Sequence, residues 1–390
     1  MAGPRRRKYD VVIVGSGPSG ISTATSLVRL EPSIRERILI LEKATHPRKK
    51  PCGGAISSYA QQWLERLGIE ISVNSNEPSR VRYVIEQSEY MEYDVVLGAG
   101  FRMALREEFD DALAKQAQNR GVLLAQGEPA RSFSYKQEGI AVKTPRREIF
   151  TRILVGADGS KSTVRSFLYR KGRIKGPQNI CSTLSSMCSL HGGHSAGYEK
   201  NEAIIDFSST LQRGIGGYLW ASPIVVNTQC FLNTGIVCFQ SAGCSTPSLM
   251  DVLSEFLQKN GFPLHQKEFI SHPIRWFHPS CEFSGERIIL VGDAAGVDPF
   301  WGEGISFSLG YGDVAAGAIL HALDSGDFSF KDYKSRLLAH EIGQVMMERL
   351  RQADDIYRSK KNLDFKSALR SLLLRGSESL AGEVRGHGRG

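Results

Sequence analysis

"VVIVGSGPSG", residues 11 to 20, decides how the rest of the chain is read. Four apolar residues run straight into Gly15, Gly17 and Gly20, spaced as GxGxxG, and the residues after Pro18 take up a helical pattern. A strand that ends in glycines directly before a helix turns tightly and lets its backbone approach a ligand closely. The helix then presents unpaired N–H groups and a partial positive charge to that ligand. The next apolar run, "RILILEK" (37 to 43), places Glu42 at its end, where an acid accepts from both ribose hydroxyls of a dinucleotide. A glycine-rich turn without a ligand is the alternative, and the placed acid argues against it. Strand, helix, strand and acid predict the βαβ opening of a doubly wound parallel sheet that binds a dinucleotide.

Two further stretches choose between dinucleotides. "LVGADGSKSTVR" (154 to 165) is a strand ending in Asp158 and Gly159. "RIILVGDAAGVDPFWGEGI" (287 to 305) is another, ending in Gly292 and Asp293 and continuing through Pro299, Gly302 and Gly304 into a long helical pattern. A bare NAD domain has no use for acid-tipped strands so far downstream. FAD has, because its ribityl chain and ring extend well beyond the pyrophosphate. The helix opening after Gly304 would set its positive end against the pyrimidine edge of the flavin and favour the anionic reduced form.

The remaining chain divides around these motifs. Helical spacing appears at 57 to 68 and 106 to 121, and strand character at 80 to 87, 93 to 98, 121 to 127 and 139 to 145. From 176 to 285 the texture is of short β-rich runs, read as a separate antiparallel sheet with one helix near 247 to 259. The expected fold is α/β: an FAD-binding domain (8–75, 106–170 and 286–325), an interleaved antiparallel-sheet substrate domain (76–105 and 176–285) and C-terminal helices (326–380). The tail "EVRGHGRG" is expected to be unstructured.

Composition narrows the class. With 41% apolar and 23% charged residues the chain is of the globular type, and 390 residues suffice for a sizeable core. The net charge of +8 comes without a basic stripe interleaved with aromatics, so nucleic acid is not expected; an anionic cofactor, substrate or membrane surface accounts for the balance. The seven cysteines are odd in number and include no CxxC, which points to a reducing, cytoplasmic setting and to no metal site. Basic residues 5 to 8 precede an apolar run, but Asp10 and the glycines make it a strand and not a signal peptide. No run reaches the roughly 18 apolar residues needed to span a bilayer, so a soluble protein with at most surface contact with a membrane is expected. In 356 to 375, Phe365, Leu369, Leu372 and Leu373 share one helical face amid basic residues, a pattern suited to an anionic bilayer or to docking on the protein's own core.

Over residues 8 to 325 these motifs resemble the FAD-dependent oxidoreductases of the aromatic hydroxylase superfamily, and within it the geranylgeranyl reductase family. The resemblance implies that Asp293 bonds the ribityl or pyrophosphate portion, that Asp158 sits near the pyrophosphate, and that Arg106, opening "REEFD", lies over the phosphates. A helix cap for Asp158 and a solvated charge for Arg106 are the alternative roles. Ser19, Lys43 and Ile305 flank the same motifs and complete the implied cofactor set. "KKPCGGAISS" (49 to 58) resembles the family's cysteine-glycine-glycine motif, which places Cys52, Gly53 and Gly54 beside the isoalloxazine with Cys52 as proton donor or gate. "YLWASP" (218 to 223) resembles the family's cavity-lining YxWxFP, with Tyr218 and Trp220 alternating onto one side of a strand. The alternatives are a buried filler for Cys52 and ordinary core for the aromatics.

The sequence departs from the family at Ala55, where a third glycine is common, at Ser222, where Phe is common, and between Gly296 and Pro299, which is one residue shorter. The implied activity is reduction of carbon-carbon double bonds in a prenyl-type lipid or other hydrophobic substrate, with Cys52, Tyr218 and Trp220 at the reacting centre. NADPH or a redox partner protein would supply electrons. An FAD monooxygenase or halogenase is the second reading, although the halogenase WxWxIP is not matched. A prenyl-binding escort protein without catalysis is the third.

Overall fold

Every described side chain of β1 (Lys8–Val14) is buried, as expected of a strand at the centre of a parallel sheet covered on both faces. The computed structural model describes residues 8–87, 89–95, 101–170, 179–190, 202–227, 229–239, 249–262, 269–358 and 385–387. After β1 come α1 (Pro18–Leu30), β2 (Ile38–Leu41), β3 (Ala55–Ser57), α2 (Ser58–Arg66), β4 (Ser75–Asn76), β5 (Arg80–Gln87), β6 (Glu89–Val95), β7 (Phe101–Ala104) and α3 (Arg106–Asn119). The chain continues through β8 (Leu123–Ala125), β9 (Ser132–Lys136), β10 (Gly139–Lys143), β11 (Glu148–Gly156), α4 (Thr163–Arg170), β12 (Ile180–Ser189), β13 (Glu202–Asp206), α5 (Ser208–Leu211), β14 (Gly216–Val226) and β15 (Gln229–Phe239). It closes with α6 (Leu249–Lys259), β16 (Ile270–Arg275), β17 (Ser284–Gly285), β18 (Ile288–Leu290), α7 (Ile305–Ser325), α8 (Tyr333–Ala339), α9 (Glu341–Ala353) and β19 (Arg385–His387).

The first sheet runs β17-β18-β11-β1-β2-β8, with β10 and β9 added at β11. The β18–β11, β11–β1, β1–β2 and β2–β8 pairs are all parallel. The order matters more than the count, because it brings the carboxyl ends of β1, β11 and β18 side by side. The three glycine turns that follow those strands therefore emerge at one edge, where ligands bind on such sheets. They pack directly on one another. Gly15, at φ 107, lies where a Cβ would come within 2.3 Å of the Ala157 carbonyl oxygen, and a Cβ at Gly292 would meet Ser19 Oγ at 2.6 Å. α7 is buried along most of its length and lies against α1, with Gly312 as the point of closest approach: a Cβ there would fall 2.0 Å from Ser22 Oγ.

The second sheet runs β16-β12-β15-β14-β13-β5-β6-β19. It is antiparallel as the sequence predicts, except that β5 and β13 pair in parallel. Residues 88 to 201 separate these two strands, so no hairpin dictates their direction. The tail differs from expectation too, since Arg385–His387 pairs with the otherwise open edge of β6. A small third sheet, β3-β7-β4, joins segments on either side of the boundary expected at 75/76. The apolar face proposed within 356 to 375, Phe365, Leu369, Leu372 and Leu373, lies outside the described residues. Among the described residues no helix is long and apolar enough to cross a membrane.

Candidate functional site

The turn edge of the first sheet and one face of the second enclose a cavity of about 330 Å³. Pro18, Asp293, Gly302, Gly304 and Ile305 reach it from the first sheet's turns, and Cys52, Gly53 and Gly54 from the segment between β2 and β3. The second sheet supplies its floor in two cross-strand rows. In one, Tyr83, Ile205, Trp220, Gly235 and Ser185 stand opposite one another across β5, β13, β14, β15 and β12; in the other, Tyr218, Val237, Thr183 and His272 do so across β14, β15, β12 and β16. Tyr218 and Trp220 thus share a face, as their alternation predicts, with ring centroids 6.3 Å apart.

The cysteine turn is tied to this floor by a residue that the motifs did not single out. Asn233, on β15, accepts a hydrogen bond from Trp220 Nε1 at 3.0 Å and donates Nδ2–H to the Cys52 carbonyl at 2.9 Å. The Trp220 indole lies across Gly235, where a Cβ would come within 2.3 Å of its ring carbons. Gly54, at φ 78, lets the turn close against β7: its carbonyl accepts from Ala104 N–H at 2.9 Å, and a Cβ would meet the Ala104 oxygen at 2.8 Å. A lone Asn amid the apolar residues of β15 is a visible sequence signal, but it does not name its partners.

On the phosphate side, Glu42 is buried at the end of β2 and accepts from Ser16 N–H at 3.0 Å, Ser16 Oγ at 2.7 Å and Ala44 N–H at 3.0 Å. Burial alone would raise its pKa, but the Arg48 guanidinium and these hydrogen bonds outweigh burial and hold it below the usual carboxylate range. Arg106 is buried and not a solvated charge. It grips Asp110 through two hydrogen bonds of 2.9 and 3.0 Å, and Arg48 reaches the same carboxylate at 3.1 Å. The i,i+4 spacing of Arg106 and Asp110 on α3 was legible in the sequence; Arg48 and the cavity-lining Lys50, in the basic run before Cys52, were not assigned. Burial, together with the nearby Arg106 charge, lowers the Lys50 pKa.

Asp158 caps a helix, the alternative role named for it, from a position beside the first glycine turn. Its carboxylate accepts from Ser162 Oγ at 2.5 Å, Thr163 N–H at 2.6 Å and Thr163 Oγ1 at 2.8 Å, holding the first turn of α4, while its Cα lies near Gly15. The reason is local: an acid shortly before a helix meets free N–H groups on its own chain. Asp293 lines the cavity and accepts from Ser160 Oγ at 3.1 Å, linking two of the turns. Gly17 and Gly159 stay beside their turns without lining the cavity, Ser19 is buried against Gly292, Lys43 is exposed, and Pro299 is buried behind the cavity wall.

The loop from Asp298 to Gly304 is clamped from α9, beyond the span of the family resemblance. Arg349 pairs with Asp298 at 2.5 Å and with Glu303 at 3.0 Å. Glu303 also accepts from Ser57 and Ser306, and the Tyr218 hydroxyl donates to the Trp301 carbonyl. Burial and the Glu303 charge raise the pKa of Asp298 in spite of Arg349. Nothing in the "MERLR" run marked Arg349, because its partners are set by the tertiary fold.

These residues fit FAD. The N-termini of α1 and α7 carry glycine N-caps with no side-chain hydrogen bond, which leaves their N–H groups for phosphate and for a ring edge. Gly53, Gly302 and Gly304 give the cavity wall stretches of bare backbone against which a flat ring can lie.

Comparison with known proteins agrees. Residues 8–193 match the family described as FAD binding domain. The chain is 25% identical over 343 residues to the geranylgeranyl diphosphate reductase of Rhodobacter capsulatus, covering 82% of this chain and 77% of that protein. It is 27% identical to the 1H-pyrrole-2-carbonyl peptidyl-carrier-protein brominase of Pseudoalteromonas luteoviolacea, covering 88% and 85%. A geranylgeranyl bacteriochlorophyll reductase-like structure from Thermoplasma acidophilum superposes with a TM-score of 0.71 at 19% identity, covering 96% of this chain and 93% of that one. The turns, the uncapped helix ends and the matched domain lead to one conclusion: this chain is a flavoprotein whose residues 8–193 form an FAD binding domain, with the fold of the geranylgeranyl reductase-like structure.

Proposed function

We propose that this flavoprotein reduces carbon-carbon double bonds in a prenyl-type or other hydrophobic substrate. The observation that carries the reading is the shared cavity, in which the Cys52–Gly54 turn, the N-terminus of α7 and the aromatic floor of Tyr83, Tyr218 and Trp220 face one space. When bound and reduced, FAD supplies a hydride, with electrons drawn from NADPH or a redox partner protein. An isolated alkene is electron-rich, so a proton must reach one carbon as hydride reaches the other. The Cys52 thiol is the proton donor best suited to this. Tyr218 is less suited, since burial pushes its hydroxyl well above the usual tyrosine range and its hydrogen is already given to the Trp301 carbonyl. Trp220 and Trp301 exclude water, and their ring faces favour positive charge developing on the alkene.

The test is anaerobic turnover. Reduced enzyme incubated with a panel of polyprenyl lipids is expected to yield a product heavier by one pair of hydrogen atoms in mass spectra, and Cys52→Ala is expected to slow its formation by about 10²-fold or more, the range of general acid catalysis. Product formed only with oxygen, or with oxygen and halide, would replace this reading by the monooxygenase or halogenase that the likeness to the brominase favours.

A further inference from the structure

We infer that the cavity has a polar pole, built from His272 and Ser185, that hydrogen-bonds a neutral oxygen function, a carbonyl or hydroxyl, on an otherwise apolar substrate. The inference rests on the reading of the cavity as a hydrophobic-substrate site and adds what the floor selects. Along that floor the character of the wall changes with strand. Tyr83, Ile205 and Trp220 occupy the β5–β14 side, whereas Ser185 and His272 stand on β12 and β16.

His272 faces Thr183 directly across the antiparallel pair, and Ser185 is its diagonal neighbour on the same face, close enough for both to meet one small group. The Thr183 hydroxyl gives its hydrogen to the His272 carbonyl at 2.5 Å, so it has no hydrogen left to offer a ligand oxygen. His272 Nε2 is buried and has no hydrogen-bond partner among the described residues, although the residue lines the cavity. A buried imidazole nitrogen without a partner is costly, and a ligand oxygen at this wall would satisfy it.

The charge state fixes the ligand class. Burial and the nearby Lys50 and Arg106 charges, with Lys161 further contributing and Asp293 opposing, bring the His272 pKa down to about 4. The ring is uncharged at neutral pH and offers one hydrogen or one lone pair, which suits a carbonyl or hydroxyl oxygen. A hydrocarbon would leave the group unmet. Sites built to hydrogen-bond a substrate oxygen discriminate strongly against analogues that lack it.

The experiment uses the oxidised holoenzyme without electron donor, so turnover plays no part. A long-chain prenyl alcohol, the matched prenyl hydrocarbon and the prenyl diphosphate are titrated, with the flavin absorbance read as each binds. The alcohol is expected to bind at least about tenfold more tightly than the hydrocarbon. His272→Leu and, more mildly, Ser185→Ala are expected to erase that advantage while hydrocarbon affinity and FAD content stay unchanged, and His272→Asn to keep part of it. Equal affinity of alcohol and hydrocarbon, or a diphosphate preference untouched by the variants, would overturn the polar pole but leave a hydrophobic-substrate cavity standing. Loss of FAD from either variant would overturn it by making the pair cofactor ligands. Failure of all the probes to bind would remove both this inference and the reading beneath it.

Discussion

Asn233 carries more of the site than any motif residue suggests. One buried amide meets the Trp220 indole and the Cys52 carbonyl, so removing it leaves two groups without their partner. Asn233→Leu is therefore expected to cost about 1–3 kcal/mol in chemical denaturation and to lower turnover further by releasing the cysteine turn. Asn233→Asp keeps the acceptor for Trp220 but sets a buried carboxylate against the Cys52 carbonyl, so it is expected to release the cysteine turn while holding the indole. Acid sensitivity belongs to Glu42 and Asp110. Both have folded pKa values below their ordinary 4.5 and 3.8, so the unfolded chain binds protons first as pH falls. Their contribution is fully present above 4.5 and is lost as pH drops through the lowered folded values. Denaturation midpoints recorded from neutral pH downward are expected to fall in that window, and Glu42→Gln to flatten the drop.

Glycines were legible where they mark turns and illegible where they make room. Gly15, Gly17 and Gly20 announced themselves because their spacing follows a strand and opens a helix. Gly235 did not, because nothing in "NTGIVCF" reveals that an indole from the next strand lies over it. Gly235→Ala would set a Cβ 2.3 Å from Trp220 ring carbons and 2.6 Å from the Leu184 oxygen. Overpacking of this kind costs about 1–3 kcal/mol. The indole is also expected to be displaced, read as changed tryptophan fluorescence and weaker ligand binding. Gly312→Ala, 2.0 Å from Ser22 Oγ, is expected to push α7 off α1 and so to weaken FAD retention at the far end of that helix. Doubly wound strands, the β-rich insertion and the long final helices were readable because hydrophobic period is a local property. The parallel β5–β13 seam and the strand at the tail were not, since pairing depends on which edge is free.

The C-terminal helices close on the cavity loop. Arg349 on α9 neutralises Asp298 and Glu303 in a loop that also bears the ring-side glycines, so the C-terminal helices are part of the site and not an appendage. Arg349→Met would strand a buried carboxylate at Asp298. Breaking such a pair typically costs about 3–5 kcal/mol, here discounted because Glu303 is partly exposed, and the holoenzyme is expected to melt earlier and to shed its yellow colour on dialysis. The β5–β13 seam has another outcome. Because two early strands, β5 and β6, complete a sheet whose core members come from 179–275, neither part can be cloned by itself: a gene fragment for 179–275 would leave β13 with a bare ladder on one side, prone to join its own kind into aggregates.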